Sequence, residues 1–123
     1  MARLVGPLAA LAILAMGCGP ALAVQAMDDG PFYAVKGSTL KIKISDLLAN
    51  DLPANGQKVL NRVFKIKNMA GIQALSLNRK KGFVQIKLAK SFTGKTSFRY
   101  ELGNPGNKKD TWVAFVLISV SPN

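Results

Sequence analysis

Apolar residues recur at every second position along much of this chain. Leu40, Ile42 and Ile44 alternate with Thr39, Lys41 and Lys43, Val84, Ile86 and Leu88 continue the same rhythm, and so do Phe98, Tyr100 and Leu102. A period of two places alternate side chains on opposite sides of an extended backbone, so each segment reads as a strand with one buried face. Residues 59–67 are rich in β-branched and aromatic side chains and read as another strand. There the apolar residues Val59, Leu60, Val63, Phe64 and Ile66 fall on both faces, which either a bulge or a strand covered on two sides would explain. Gly71 opens a strand over 72–77, residues 78–82 read as a hairpin loop, 103–107 as a second turn cluster, and 111–120 as the last strand, stopped by Pro122. Asp46 is a cap-like residue before Leu47 and Leu48, which predicts one short helical turn ahead of the loop at 51–56. Short strands with turn signals every ten residues or so predict an all-β, antiparallel sandwich of about seven strands.

The first 23 residues follow a different logic. Arg3 precedes an apolar run from Leu4 to about Met16, and Ala21-Leu22-Ala23 supplies a small-residue cleavage site, the layout of a secretory signal peptide. Gly6, Pro7 and the Gly17 to Pro20 stretch interrupt the run, leaving it short of the ~20 residues a spanning helix needs. The expected organisation is a cleaved signal peptide at 1–23, a short lead-in at 24–31 and a sandwich domain at 32–121, with Val24 the first mature residue. A retained N-terminal anchor is the alternative. The expected location is outside the cytoplasm, in a periplasm or at a cell surface. Ala15-Met16-Gly17-Cys18 resembles a bacterial lipobox, with Ala15 where the pattern usually has Leu, so Cys18 is a second possible mature terminus, carrying lipid and tethering the domain to a membrane.

Cys18 is the sole cysteine, so no disulfide staples the domain, and about 100 mature residues suffice for one hydrophobic core. Histidine is absent and the carboxylates are Asp28, Asp29, Asp46, Asp51, Glu101 and Asp110. Nucleophilic triads and zinc centres draw on His or Cys, and acid–base pairs on His or convergent carboxylates. The chain therefore reads as non-enzymatic, with no cofactor expected.

Leu47-Leu48-Ala49-Asn50-Asp51, together with Phe92, Gly94, Ser97, Phe98 and Tyr100, resembles the L-L-A-N-D and F-x-G-x-D-S-F-x-Y signatures of bacterial cadherin-like or Ig-like surface domains, over about residues 32–120. The resemblance implies a sandwich and a role at the cell envelope. Members of that family often carry an acidic, calcium-binding type of run after L-L-A-N-D. Here the stretch is Leu52-Pro53-Ala54-Asn55-Gly56-Gln57-Lys58, and Thr96 replaces the acidic residue before Ser97-Phe98. Asp46, Asn50 and Asp51 are the remaining candidate oxygen ligands, too few for the six to eight calcium prefers. A turn or cap hydrogen bond is the plainer role for Asp51. Such domains commonly occur in tandem arrays, whereas this chain has room for one.

Seventeen Lys and Arg against six Asp and Glu give a net charge of +11. Alternation turns Lys41, Lys43, Lys87 and Arg99 outward, and Arg79-Lys80-Lys81 crowds one loop. If neighbouring strands align them, they form a stripe able to hold an anionic envelope polymer or glycan by charge. A solvated face that guards against edge pairing is the plainer reading of the same residues. Tyr33, Tyr100, Trp112 and most phenylalanines are expected in the core, so no aromatic platform interleaved with the cations is evident and nucleic acid is not the expected partner, extracellular DNA being kept only as one of the possible polyanions. In the last strand Trp112, Ala114, Val116, Ile118 and Val120 are expected to face the core. Val113, Phe115 and Leu117 then point the other way, either beneath another part of the chain or as a contact surface for another envelope protein or a second copy in a homodimer.

Overall fold

The alternation is realised as two packed sheets. The computed structural model describes residues 23–54 and 57–123. The strands are β1 (Asp29–Val35), β2 (Thr39–Lys43), β3 (Val59–Lys65), β4 (Ile72–Asn78), β5 (Phe83–Leu88), β6 (Gly94–Asn104) and β7 (Asn107–Ser121), with one short helix, α1 (Ile44–Leu48), after β2. One sheet has the order β1-β7-β6-β3 and the other β2-β5-β4. The second, fifth and fourth strands thus share a layer opposite the third, sixth and seventh, the division found in immunoglobulin-type sandwiches. All pairings are antiparallel except β1 with β7, which run parallel.

The core lies between the sheets. Phe98, Tyr100, Leu102, Val116 and Ile118 of one sheet share the core with Ile42, Val84, Ile86 and Leu88 of the other, and Leu47 of α1 and Leu60 of β3 are buried in the same cluster. Burial of this kind, at about 25 cal/mol per Å² of apolar surface, drives the fold. In β3 a register shift between Leu60 and Arg62 marks a bulge, which resolves the two-sided pattern of that strand: Leu60 and Val63 join the core, and Phe64 turns outward beside Arg99. Between β4 and β5, Gly82 takes a φ of 76° and donates its N–H to the Asn78 carbonyl, closing the expected hairpin.

Several expectations need correction. The helical turn starts at Ile44, two residues before Asp46, and its N-cap Lys43 makes no side-chain cap bond. The lead-in is packed: Val24 and Ala26 are buried, Gln25 exchanges both backbone hydrogen bonds with Leu52, and β1 already begins at Asp29. β7 is 15 residues long, whereas the strands of the facing sheet have 5 to 7. Its first part therefore overhangs the core, and Trp112, on the inward side by register with Leu102, is 47% exposed. Tyr33 is 76% exposed because its neighbours Phe32 and Ala34 take the inward positions of β1. The signal peptide and Cys18 fall, except for Ala23, outside the described residues.

Candidate functional site

Register on the β2-β5-β4 sheet decides where the cations go. Leu40 pairs with Ile86 and Ile42 with Val84 on the inner side, so Lys41 opposite Gln85, Lys43 opposite Phe83, and Lys87 opposite Thr39 share the outer side. Ala74, Ser76 and Asn78 of β4 complete that face. None of the three strands contains an acidic residue. Lys80 and Lys81 are exposed in the turn at the Phe83 end, where the Gly82 carbonyl accepts the N–H of Ile44. The Lys41 ammonium sits 5.0 Å from the centre of the Phe83 ring, which holds the charge over an aromatic face. Five of the seven basic residues singled out in the sequence thus gather on one side of the molecule. Among the described residues the sole ion pair is Arg62 with Glu101, on the other sheet, so none of the five is neutralised by a carboxylate.

The remaining two do different work. The Arg79 guanidinium leaves the turn and donates to the backbone carbonyls of Leu60 and Asn61, tying the β4–β5 hairpin to the bulge of β3. Arg99 lies on the outer side of the four-stranded sheet, 4.7 Å from the Phe64 ring centre, with its Nε buried and without a partner.

That same outer side carries Val113, Phe115 and Leu117, which are 41–44% exposed. No described segment covers them. Tyr33 and Val35 of β1 extend the apolar surface, and a groove of about 310 Å³ runs between Tyr33, Lys95, Leu117 and Ser119.

A third cluster is buried. Asp51 is 1% exposed, and its carboxylate accepts the N–H of Met27 at 2.8 Å and the Tyr100 hydroxyl at 2.6 Å. It thereby joins the end of α1, the packed N-terminal segment and the centre of β6. Lys58 completes the loop, its ammonium donating to the carbonyls of Asp51, Pro53 and Ala54 at 2.8, 2.9 and 3.4 Å. A lysine thus occupies the oxygens of the loop that stands where the resembling family carries its acidic run. Of the other candidate metal ligands, Asp46 is exposed on α1, and the Asn50 amide reaches the Asp28 carbonyl at 3.4 Å. Among the described residues no three His, Cys, Asp or Glu side chains converge as a metal group.

Asp29 stands beside this cluster with Oδ2 buried and unpartnered. Burial pushes its carboxyl up to about 6, with help from the Asp51 charge. Burial also raises Asp51, against its bonds from Tyr100 and Met27. The tyrosine hydroxyl has one proton to give, and the 2.6 Å bond to Asp51 claims it, so a charged Asp29 lacks a comparable donor.

Because Asp29 holds its proton more tightly in the folded than in the unfolded chain, its contribution is greatest at pH values below about 4. That contribution is lost as pH rises through about 6. Histidine is absent, and Asp51, raised by burial in the same sense, adds to this dependence rather than opposing it. Thermal unfolding followed by circular dichroism is expected to give a higher Tm at pH 5 than at pH 7.5. Asp29→Asn should flatten that dependence and stabilise the protein at pH 7.5 by on the order of 1 kcal/mol.

No protein-family model and no curated protein matches this chain. Among solved structures it is similar to InlP of Listeria monocytogenes, at 9% identity and a TM-score of 0.37, over 79% of this chain and 26% of that one. It is also similar to the cysteine protease inhibitor EhICP2 of Entamoeba histolytica, at 15% identity and a TM-score of 0.29, over 76% of this chain and 92% of that one. The chain therefore spans about a quarter of the length of InlP.

Proposed function

We propose that the protein is an exported, non-enzymatic binding module of the bacterial cell envelope, resembling a single cadherin-like domain, and that its β2-β5-β4 face engages an anionic polymer or glycan. The observation that supports this reading most is the gathering of Lys41, Lys43 and Lys87 on one face, with Lys80 and Lys81 at its end, on strands that contain no carboxylate. A solvated face needs some lysines. It does not need a concentration of like charge with nothing to offset the mutual repulsion, and an anionic ligand relieves that repulsion.

Binding of this type releases counterions and weakens steeply with salt. Retention of the protein on its own envelope fraction is expected to be lost at moderate ionic strength. A lysine close to an anionic surface contributes about 1 kcal/mol. Changing Lys41, Lys43 and Lys87 together to Gln should therefore weaken binding roughly 100-fold at low salt. Arg79→Gln should instead lower stability, since its partners are backbone carbonyls. Retention that persists in high salt would overturn the reading.

A second reading is favoured by the exposure of Val113, Phe115 and Leu117. Docking of another envelope protein, or of a second copy, through this surface would resist salt and fail on Phe115→Lys while tolerating loss of Lys80 and Lys81.

A further inference from the structure

Among the described residues, which begin at Ala23, burial sets in at Val24. Ala23 is exposed, whereas the Val24 side chain is 1% exposed, and each of the next three residues is fastened in turn. Gln25 pairs with Leu52 through both backbone groups, Ala26 is buried, and Met27 donates to Asp51. This onset of burial falls one residue after the Ala21-Leu22-Ala23 cleavage signal. At that point the Val24 nitrogen lies 3.2 and 3.0 Å from the two carboxylate oxygens of Asp110.

Asp110 is well prepared for a cation there. Its Oδ2 also accepts the Asn104 amide at 3.1 Å, which fixes the carboxylate on the β6–β7 hairpin. Among the described residues no lysine or arginine pairs with it, although the chain carries seventeen of them. An amide nitrogen has one hydrogen to share between two oxygens, whereas an ammonium has three and a full charge. An open hollow of about 620 Å³, bordered by Ala23, Gln57, Asn107 and Lys109, adjoins the site.

We infer that Asp110 is the receptor for the amino terminus created when the leader is removed: hydrolysis of the Ala23–Val24 bond leaves a Val24 ammonium that docks on the Asp110 carboxylate and locks the N-terminal segment into the sandwich. The reaction is a plain peptide hydrolysis by a leader peptidase. Water adds across the bond, the carboxylate departs with Ala23, and the ammonium stays. A peptidase needs exposed, extended chain at the cut, so cleavage precedes docking of the buried Val24. The inference rests on the leader reading and is independent of the basic face. It also separates the two possible mature termini. A chain beginning at lipidated Cys18 would keep Val24 as an ordinary amide.

The test uses the full 123-residue chain expressed for export, with intact-mass determination of the processed product. The product is then compared with its Asp110→Asn variant, each with a free and with an acetylated α-amine. A product starting at Val24 is expected. In it the α-amine should acetylate at pH 7 at least ~10-fold more slowly than in the variant, because an opposite charge holds it protonated. Acetylation should lower Tm by about 4–8 °C in the parent and by much less in the variant. The stabilisation should fade as pH rises above about 8, where a raised α-amino group deprotonates. A product starting at Cys18 would overturn the inference at the cleavage step. A product starting at Val24 whose Tm is indifferent to acetylation would overturn it at the docking step. That second measurement needs no substitution, so it decides even where Asp110→Asn does not fold.

Discussion

Asp51→Ala is expected to destabilise the domain by about 4 kcal/mol, a large share of the roughly 5–15 kcal/mol typical of a domain. The carboxylate accepts hydrogen bonds from Met27 and Tyr100 at a site that is 1% exposed. Truncation leaves both donors buried without an acceptor, and each such orphan costs about 1–3 kcal/mol. Nearby acceptors offer little relief. The Tyr100 hydroxyl lies 3.2 Å from the Met27 carbonyl and 3.4 Å from that of Leu47, and both contacts are long for an O–H donor. Asp51→Asn retains one acceptor oxygen and removes a charge that burial already disfavours, so it should cost about 1 kcal/mol. Tyr100→Phe should fall between the two. Urea denaturation of the three variants orders these losses. Equal losses for Asp51→Ala and Asp51→Asn would show that the carboxylate's charge, not the bonds it accepts, stabilises the junction.

This bond joins two sequence motifs that lie far apart in the chain. Leu47 to Asp51 and Phe98 to Tyr100 lie about fifty residues apart, and the 2.6 Å contact between Asp51 and Tyr100 is where they meet in the core. The residue types were legible, but the turn or cap bond expected of Asp51 is replaced by long-range bonds from Met27 and Tyr100. Those partners were not legible, because they come from the N-terminal segment and from β6, and nothing local specifies either.

The same division runs through the rest of the fold. Alternation revealed which side of a strand each residue occupies, and Lys41, Lys43 and Lys87 fall on the outer side as expected. It does not reveal whether anything lies opposite that side. Trp112 keeps the inward parity of Ala114 yet is exposed, since β7 outruns the sheet it packs against. Nor does loop composition distinguish cations by destination. Arg79, Lys80 and Lys81 are consecutive, but the rigid planar fork of the Arg79 guanidinium spans the adjacent carbonyls of Leu60 and Asn61 in the β3 bulge, while the two lysines stay in solvent. The basic face that remains is smaller than the sequence alone implied, and it is more uniform in charge.

Gly30→Ala should cost about 3–4 kcal/mol, a loss out of proportion to one methyl group at the edge of a sheet. Gly30 has a φ of 105°, where a residue with a Cβ is strained, and an added Cβ would overlap the Leu117 carbonyl oxygen. That oxygen belongs to the backbone of β7, so no side-chain rotation relieves the overlap. The strand must retreat, and with it goes the parallel pairing that runs from Asp29 with Val116 to Val35 with Ser121. Two consequences separate this variant from a general loss of packing. Tyr33 and Val35 would leave the apolar surface around Leu117, while the basic face on the opposite sheet would keep its register. The β7 edge, 15 residues long and rich in apolar side chains, would also lose its cover, and exposed edges of that kind recruit other strands. The variant is therefore expected to aggregate more readily while the folded fraction keeps the salt-sensitive retention proposed for the basic face. Faster amide exchange confined to β1 and its β7 partners would confirm the local detachment, and exchange raised equally in β2, β5 and β4 would contradict it.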